Sequence, residues 1–488
     1  MNHCSTSQQR AEWISQLMVS ERPHGLLSQL SRTHQVSRQT LYRWKAKGEL
    51  ALQNALGVAP HQPAGSVQVT EQVLTLLVEA HASYRDIQAC LKKLCGRSVS
   101  LGSITAMVQE AGERAQAWLA RQCASTPRAL ALDEQYSSQR GKAYLNVIDV
   151  HSSQVWATLP PVEVDGESWT LVWWYLHEQG LLCELSVSDG GRAIHEALSQ
   201  VQRLESHQRD VWHLFHVASQ VQGRLDRALQ QAQDRLPAIQ RQAQRLAVGK
   251  KACGRAPKTN VAEQQTLIKH MQYVADGVRY LLQELRTLLE VVVLRPDPHA
   301  GVLTSQQRQA EIEAVLALLD EVQLLASPSL QSHLHSLGNQ IRLALPHVLL
   351  FARELDDIQH QACEQLGPQA VQLLAWAWQR REVLGPTSSD LVQGVEPSWQ
   401  TTAQALLSVW DDAVRASSAV ENWHSIVRPH LAVHRTLSAG MLALLAVWHN
   451  HRLAPRGPHV GLSPLQRTGS TQPETDWLVA LGYSTQAA

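Results

Sequence analysis

The spacing of apolar residues divides the chain into helical stretches on either side of one strand-rich stretch. Residues 11 to 48 carry apolar positions at helical spacing. Leu26, Leu27 and Leu30 make a stripe, His34 and Gln35 a turn plugged by Val36, and Ser37 an N-cap for a second helix whose Leu41 and Trp44 face inward. Gly25 to Lys47 thus has the shape of a helix-turn-helix. Arg38, Gln39, Thr40, Arg43 and Lys47 are left facing outward, and such side chains suit base edges and phosphates in a major groove. The bland alternative is a helical hairpin with a solvated basic face. A Pro/Gly-rich linker, Gly57 to Gly65, precedes a second helical unit from Val69 to about Ala120. There Ser83 to Asp86 starts a helix, Gly96 to Ser100 makes a turn, and Leu101 to Glu110 is a candidate second recognition helix.

After Pro127 the period shortens to that of strands. Arg128 to Leu132 predicts a short buried strand with Asp133 and Glu134 at its end. Ala143 to Val150 and Gln154 to Leu159 predict a hairpin about His151 to Ser153. Gly166 to Gln179 has helical spacing, Leu182 to Val187 predicts a fourth strand ending in Ser188-Asp189-Gly190-Gly191, and Arg192 to Leu204 a helix. A fifth short strand is expected at Arg209 to Leu214. This β-β-β-α-β-α-β order is that of a ribonuclease-H-like domain. From about Val217 to Val409 the pattern is almost wholly helical, interrupted by a basic loop at Gly249 to Lys258 and by breaks at Arg295 to Pro298 and Gly385 to Ser389. No fixed repeat marks this block as a solenoid, so it reads as a helical insertion. Ser417 to Arg428 is helical again, with Glu421, His424 and Arg428 on one face and Pro429 expected to kink or end the helix. A further amphipathic helix, Ser438 to Asn450, leads to a basic Pro/Gly-rich tail.

Composition refines this picture more by distribution than by total. The 488 residues suit about three domains. Lys plus Arg equals Asp plus Glu at 43 each, yet residues 1 to 129 hold 14 basic and 8 acidic side chains, and residues 415 to 470 hold 6 and 1. Two basic ends therefore flank an acidic middle, and a local basic patch matters more for nucleic acid than the sum. Seven cysteines, with no CxxC pair, support neither a zinc ribbon nor a disulfide framework. No apolar run of membrane-spanning length and no leader is evident, so an intracellular, reduced, cytoplasmic protein is expected.

Two aspartates at the ends of adjacent buried strands and a glutamate on a later helix are what a phosphoryl-transfer site using divalent metal requires. Carboxylate oxygens are hard ligands suited to Mg²⁺ or Mn²⁺, and two such ions can stabilise both the attacking and the leaving oxygen at phosphorus. In the fold order above the first and fourth strands are neighbours, which would bring Asp133 and Asp189 together.

With Asp133 in ALDEQY, Asp189 in SVSDGG and Glu421 in SSAVENWHS, the chain resembles a DDE-type transposase of the bacterial insertion-sequence kind, its ribonuclease-H-like core interrupted by a helical insertion. Asp210-Val-Trp-His213 resembles a Cys-or-Asp, two residues, His signature of several such families, and Asn450-His-Arg452 followed by Gly461-Leu-Ser-Pro464 resembles a common ending of such transposases. The 232 residues between Asp189 and Glu421 depart from the short spacing of retroviral-integrase-like members. The resemblance implies an α/β plus all-α protein, with helix-turn-helix modules at 1–56 and 66–125, a core at 128–216 and 410–453, an insertion at 217–409 and a tail at 454–488. It implies Asp133, Asp189 and Glu421 as catalytic, metal-holding residues with two Mg²⁺ or Mn²⁺ ions. His424 and Arg428, with the basic face at 38–47, would touch DNA. The partners implied are element ends and target DNA, a homodimer or higher oligomer, no membrane, and a nucleoid-associated location. The alternatives are a non-catalytic DNA-binding regulator derived from a transposase and a ribonuclease-H-like nuclease.

Some residues compete. Asp149 also follows a strand, but its hairpin position makes it a turn residue. Glu354 and Glu364 rival Glu421. His213 and His216 suit helix-entry packing as well as function, and Trp173, Trp174, Trp376 and Trp378 are expected in cores, with a flipped base as their functional alternative.

Overall fold

The protein is described by a computed structural model covering residues 6–19, 23–55, 64–121, 127–201, 203, 206–249, 260–385, 387–456, 459–469 and 476–483. The expected linker at 57–63 and most of the basic loop at 249–258 lie outside these residues. Two compact units divide the chain, the first running to Val73 and including the C-terminal end from Tyr483, the second being Leu74–Gly482.

In the first unit, α1 (Ser7–Val19), α2 (Pro23–His34) and α3 (Arg38–Ala55) pack about Trp13, Leu17, Leu27, Leu30 and Leu41. Val36 and Trp44 close that core. Gln35 takes a left-handed φ of 53° in the turn between α2 and α3, and Ser37 Oγ accepts from Thr40 N at 3.0 Å. Arg38, Gln39, Arg43 and Lys47 are exposed and Thr40 is half-buried. α4 (Ala64–Val78) follows.

In the second unit, α5 (Tyr84–Cys95) and α6 (Leu101–Leu119) begin at the serine caps Ser83 and Ser100. The stretch expected to read DNA, Leu101 to Glu110, is the first half of α6. The second half packs along a late helix through two glycines. A Cβ on Gly112 would sit 2.8 Å from the Cα of Gly440, so this approach requires the absence of side chains.

The sheet comprises β1 (Ala129–Tyr136), β2 (Lys142–Asp149), β3 (Val155–Thr158), β4 (Val162–Glu163), β5 (Leu185–Ser188) and β6 (His207–Arg209). Its order is β3-β2-β1-β5-β6, with β4 paired to β2; β1, β2 and β3 are antiparallel, and β5 and β6 add parallel to β1. One face is covered by α7 (Gly166–Glu178) and α8 (Arg192–Gln200). Leu130, Leu132, Leu145 and Val147 meet Trp169, Val172, Ile194 and Leu198 there, each burial contributing about 1.5–3 kcal/mol before entropy. The expected element order is present with β4 in addition.

Two boundaries differ from expectation for physical reasons. β1 continues through Asp133 and Glu134 to Tyr136, because β2 pairs with it along that whole length even though β5 pairs only with Ala129–Ala131. The fifth strand is only His207–Arg209. Residues 211–214 are instead the first turn of α9 (Val211–Ala247), because Asp210 caps it by accepting from Trp212 N and His213 N.

The long helical block then runs through α10 (Val261–Leu288), α11 (Ser305–Leu325), α12 (Pro328–Val348), α13 (Leu350–Leu366), α14 (Pro368–Gln379), α15 (Arg381–Leu384), α16 (Ser388–Gln393) and α17 (Gln400–Asp411) around a large aliphatic core. It is fixed to the sheet edge at β6, where Gln208 Nε2 donates to Val348 O and Gln208 Oε1 accepts from Phe351 N. Trp173 and Trp378 are buried as expected, while Trp174 and Trp376 are exposed.

α18 (Ser418–His434) and α19 (Ala439–His451) return to the second face of the sheet. α18 does not end at Pro429. Buried Val427 and His430, on either side of the proline, hold the helix through it. Asn450 closes the β3 edge, accepting from Val155 N and donating to Val155 O, which gives the Asn-His-Arg ending a structural role. After α20 (Pro464–Arg467), α21 (Trp477–Ala480) buries Trp477 and Leu478, and Leu481 O accepts from Arg114.

Candidate active site

β1 is the element that opens the site. Its parallel partner β5 stops pairing at Ala131↔Val187, and two residues further on each strand stand Asp133 and Asp189. Strand alternation sends successive side chains to opposite faces. Asp133 emerges toward α18, whereas Glu134 emerges on the face of Leu130 and Leu132, where the indole N–H of buried Trp169 donates to its Oε1 at 2.8 Å. Asp189 follows β5 in a turn that needs glycine. Gly190 has a φ of +77°, and a Cβ there would lie 2.8 Å from Arg209 Nε. Gly191 N donates to Asp189 Oδ1 at 2.8 Å, orienting that carboxylate.

These groups line a cleft of about 490 Å³ with Asp210, Trp212, His213, Ser417, Glu421, His424 and Arg428. Ligand atoms of Asp133, Glu421 and His424 all lie within 4.8 Å of one another. His424 Nδ1 stands 3.8 Å from Asp133 Oδ2 and 4.0 Å from Glu421 Oε2, and Arg428 Nη2 lies 3.4 Å from Glu421 Oε2 at the exposed rim. The Asp133 carboxyl is pushed up to about 8, first by burial and then by the charges of Asp189, Glu134 and Glu421, against a lowering contact from Glu134 N. Burial also raises Glu134, with the Trp169 hydrogen bond opposing it. Such crowding of negative charge at one strand end is what a bound cation relieves. His424 is pushed down to about 4 by burial and by Arg428.

Residues 65–252 match a family model described as "Transposase, Mutator family". The match supports a transposase. No curated protein matches the chain. The matched stretch contains the whole sheet with Asp133 and Asp189, and Glu421 lies beyond it.

Asp133, Asp189, Glu421, His424, Arg428, Asp210 and His213 therefore share one cleft, while Arg38, Gln39, Thr40, Arg43 and Lys47 belong to the first unit. Their parts within the cleft are unequal. Asp210 has its oxygens taken up, Oδ1 by Trp212 N and His213 N and Oδ2 by Ser417 N and Ser417 Oγ, so it ties the start of α9 to that of α18. His424 is buried and faces the acids, whereas Arg428 is exposed. Asp149 serves its turn, accepting from His151 N and Ser152 Oγ. Glu354 pairs with Arg128 and Glu364 with His360, and neither lines the cleft. Sequence reasoning gave no role to Glu134, Asn146, Trp169 or Ser417. Adjacency to Asp133 was a signal for Glu134; the others are joined to the site only by folding.

Proposed function

We propose that the protein is a DDE-type transposase that cuts DNA at the ends of its element and joins the freed 3′-hydroxyl to target DNA. The observation that carries this reading is the convergence of Asp133, Asp189 and Glu421 from β1, β5 and α18 on one cleft, in a chain whose first of these elements lie in a transposase match. The sheet order, three antiparallel strands joined by two parallel ones, supports a ribonuclease-H-like core with α9 to α17 as its insertion.

The donor set fits Mg²⁺ or Mn²⁺, because Asp133, Asp189 and Glu421 bring hard carboxylate oxygens to one cleft, where burial and the neighbouring acids raise the Asp133 carboxyl. When bound, such ions supply charge stabilisation at phosphorus. Asp133, Asp189 and Glu421 would hold the ions. Asp210 keeps Glu421 in place by anchoring Ser417, the residue before α18. Arg428 at the rim contacts the phosphate backbone, and the outward face of α3 reads the element end. The insertion and its partner copy hold paired ends together.

The test is strand cleavage and joining on a short DNA bearing the element end, with Mg²⁺ or Mn²⁺. Asp133→Ala, Asp189→Ala and Glu421→Ala are expected to bind this DNA and lose both reactions. Binding without any cutting by the wild type would favour a DNA-binding regulator, and cutting without joining a nuclease.

A further inference from the structure

Asn146 lies in the middle of β2, opposite Asp133, and is buried with all of its hydrogen-bonding capacity directed. Its Oδ1 accepts from Trp423 Nε1 at 3.0 Å and from Thr158 Oγ1 at 2.9 Å. Its Nδ2 donates to Tyr144 O at 3.2 Å and faces His424 Nε2 at 3.2 Å. Two of these partners leave no freedom in the amide orientation. An indole N–H is only a donor and a backbone carbonyl only an acceptor, so a reversed amide would set donor against donor at Trp423 and acceptor against acceptor at Tyr144.

The orientation propagates. An amide N–H pointing at His424 Nε2 requires that nitrogen to accept, so the imidazole proton sits on Nδ1. Nδ1 is the atom turned toward Asp133 Oδ2 and Glu421 Oε2.

We infer that His424 is a positioning residue that presents an N–H to Asp133 and Glu421, and that it is not a ligand of a metal ion in this cleft. A nitrogen carrying a proton has no lone pair for an ion. At 3.8 and 4.0 Å the N–H does not yet bond either carboxylate, and small side-chain rotations bring it onto one of them. The site is then left with oxygen donors alone, which selects Mg²⁺ or Mn²⁺ over ions that prefer imidazole. This consequence rests on the metal-site reading above, but the tautomer does not.

The experiment is nitrogen-15 NMR of the full chain labelled in its histidine rings, free of metal, with the His424 signals identified by their loss in His424→Gln. The expected pattern is a protonated Nδ1 and an unprotonated Nε2, a tautomer that is kept when diamagnetic Zn²⁺ is added. Asn146→Asp replaces the donor by an acceptor, moves the proton to Nε2 and frees Nδ1. Its affinity for Co²⁺ should rise about tenfold or more relative to Mn²⁺. A proton on Nε2 in the wild type, or Nδ1 bound to Zn²⁺ there, overturns the inference, whether or not Asn146→Asp folds. The expected tautomer in a wild-type chain that binds neither Co²⁺ nor Mn²⁺ would instead overturn the metal-site reading.

Discussion

Two aspartates, one within β1 and one just after β6, belong to strands separated only by β5, and the protein treats them in opposite ways. Asp210, after β6, is buried and accepts four hydrogen bonds that join the start of α9 to the start of α18. Asp133, in β1 beyond the end of β5, accepts among the described residues only from the next residue's N–H and is surrounded by other acids. Accounting for partners separates the two where residue type and position do not. A carboxylate with every oxygen satisfied holds structure, while one kept short of partners among like charges is a candidate for binding a cation.

The contrast is broken most severely at Asp133. Asp133→Asn should lower DNA cleavage by on the order of a thousandfold, the several kcal/mol that charge stabilisation at phosphorus provides, in a single-turnover assay. Its metal-free stability should not fall, since burial among other acids opposes the ionised Asp133 carboxylate and asparagine carries no charge there. Asp210→Ala should show the reverse emphasis. Losing a helix cap and the anchor of Ser417 should cost about 2–4 kcal/mol in urea denaturation, with activity lost through misplacement of Glu421.

A pH series sharpens the comparison. With Asp133 held near 8 against an ordinary value of 3.8, the folded chain keeps a proton that the unfolded chain has released. Its contribution to metal-free stability is therefore lost as pH rises from about 4 to about 8. Asp133→Asn should remove that slope. A divalent ion needs the ionised carboxylate, so the rise in Tm on adding Mg²⁺ should grow between about pH 6 and about pH 8, with proton release in calorimetry.

The smallest effect is expected on the opposite face of β1. Trp169→Phe removes the donor to Glu134 and keeps most of the packing, and should weaken Mn²⁺ binding by less than about tenfold. An effect as large as that of Asp133→Asn would show that Glu134 belongs among the principal ligands.

Much of this arrangement was legible from local pattern. The alternation in β2 and β3, the serine caps of α5 and α6, and the small helical core around Leu27, Leu30 and Leu41 are short-range signals, and the structure has those elements. The start of α9 was not legible, because the run Val-Trp-His-Leu-Phe fits a buried strand as well as a helix, and only the hydrogen bonds of Asp210 decide it. The end of β1 was missed for a related reason: polar Asp133 and Glu134 lie within a strand because β2 pairs with them. The three acids could be proposed from their order, but the Trp169 contact to Glu134 and the Asn146 contact to His424 bridge 35 and 278 residues and have no local signature.

The most direct measurement is a Mn²⁺ titration of the full chain at about pH 8, followed by the paramagnetic signal of the free ion, for the wild type, Asp133→Asn and Asp210→Asn. The wild type should bind Mn²⁺, Asp133→Asn should lose that binding while remaining folded, and Asp210→Asn, to the extent that it folds, should lose only the part that depends on the placement of Glu421. Equal binding by Asp133→Asn and the wild type, or no binding by either, would contradict the assignment of the cleft as a metal site.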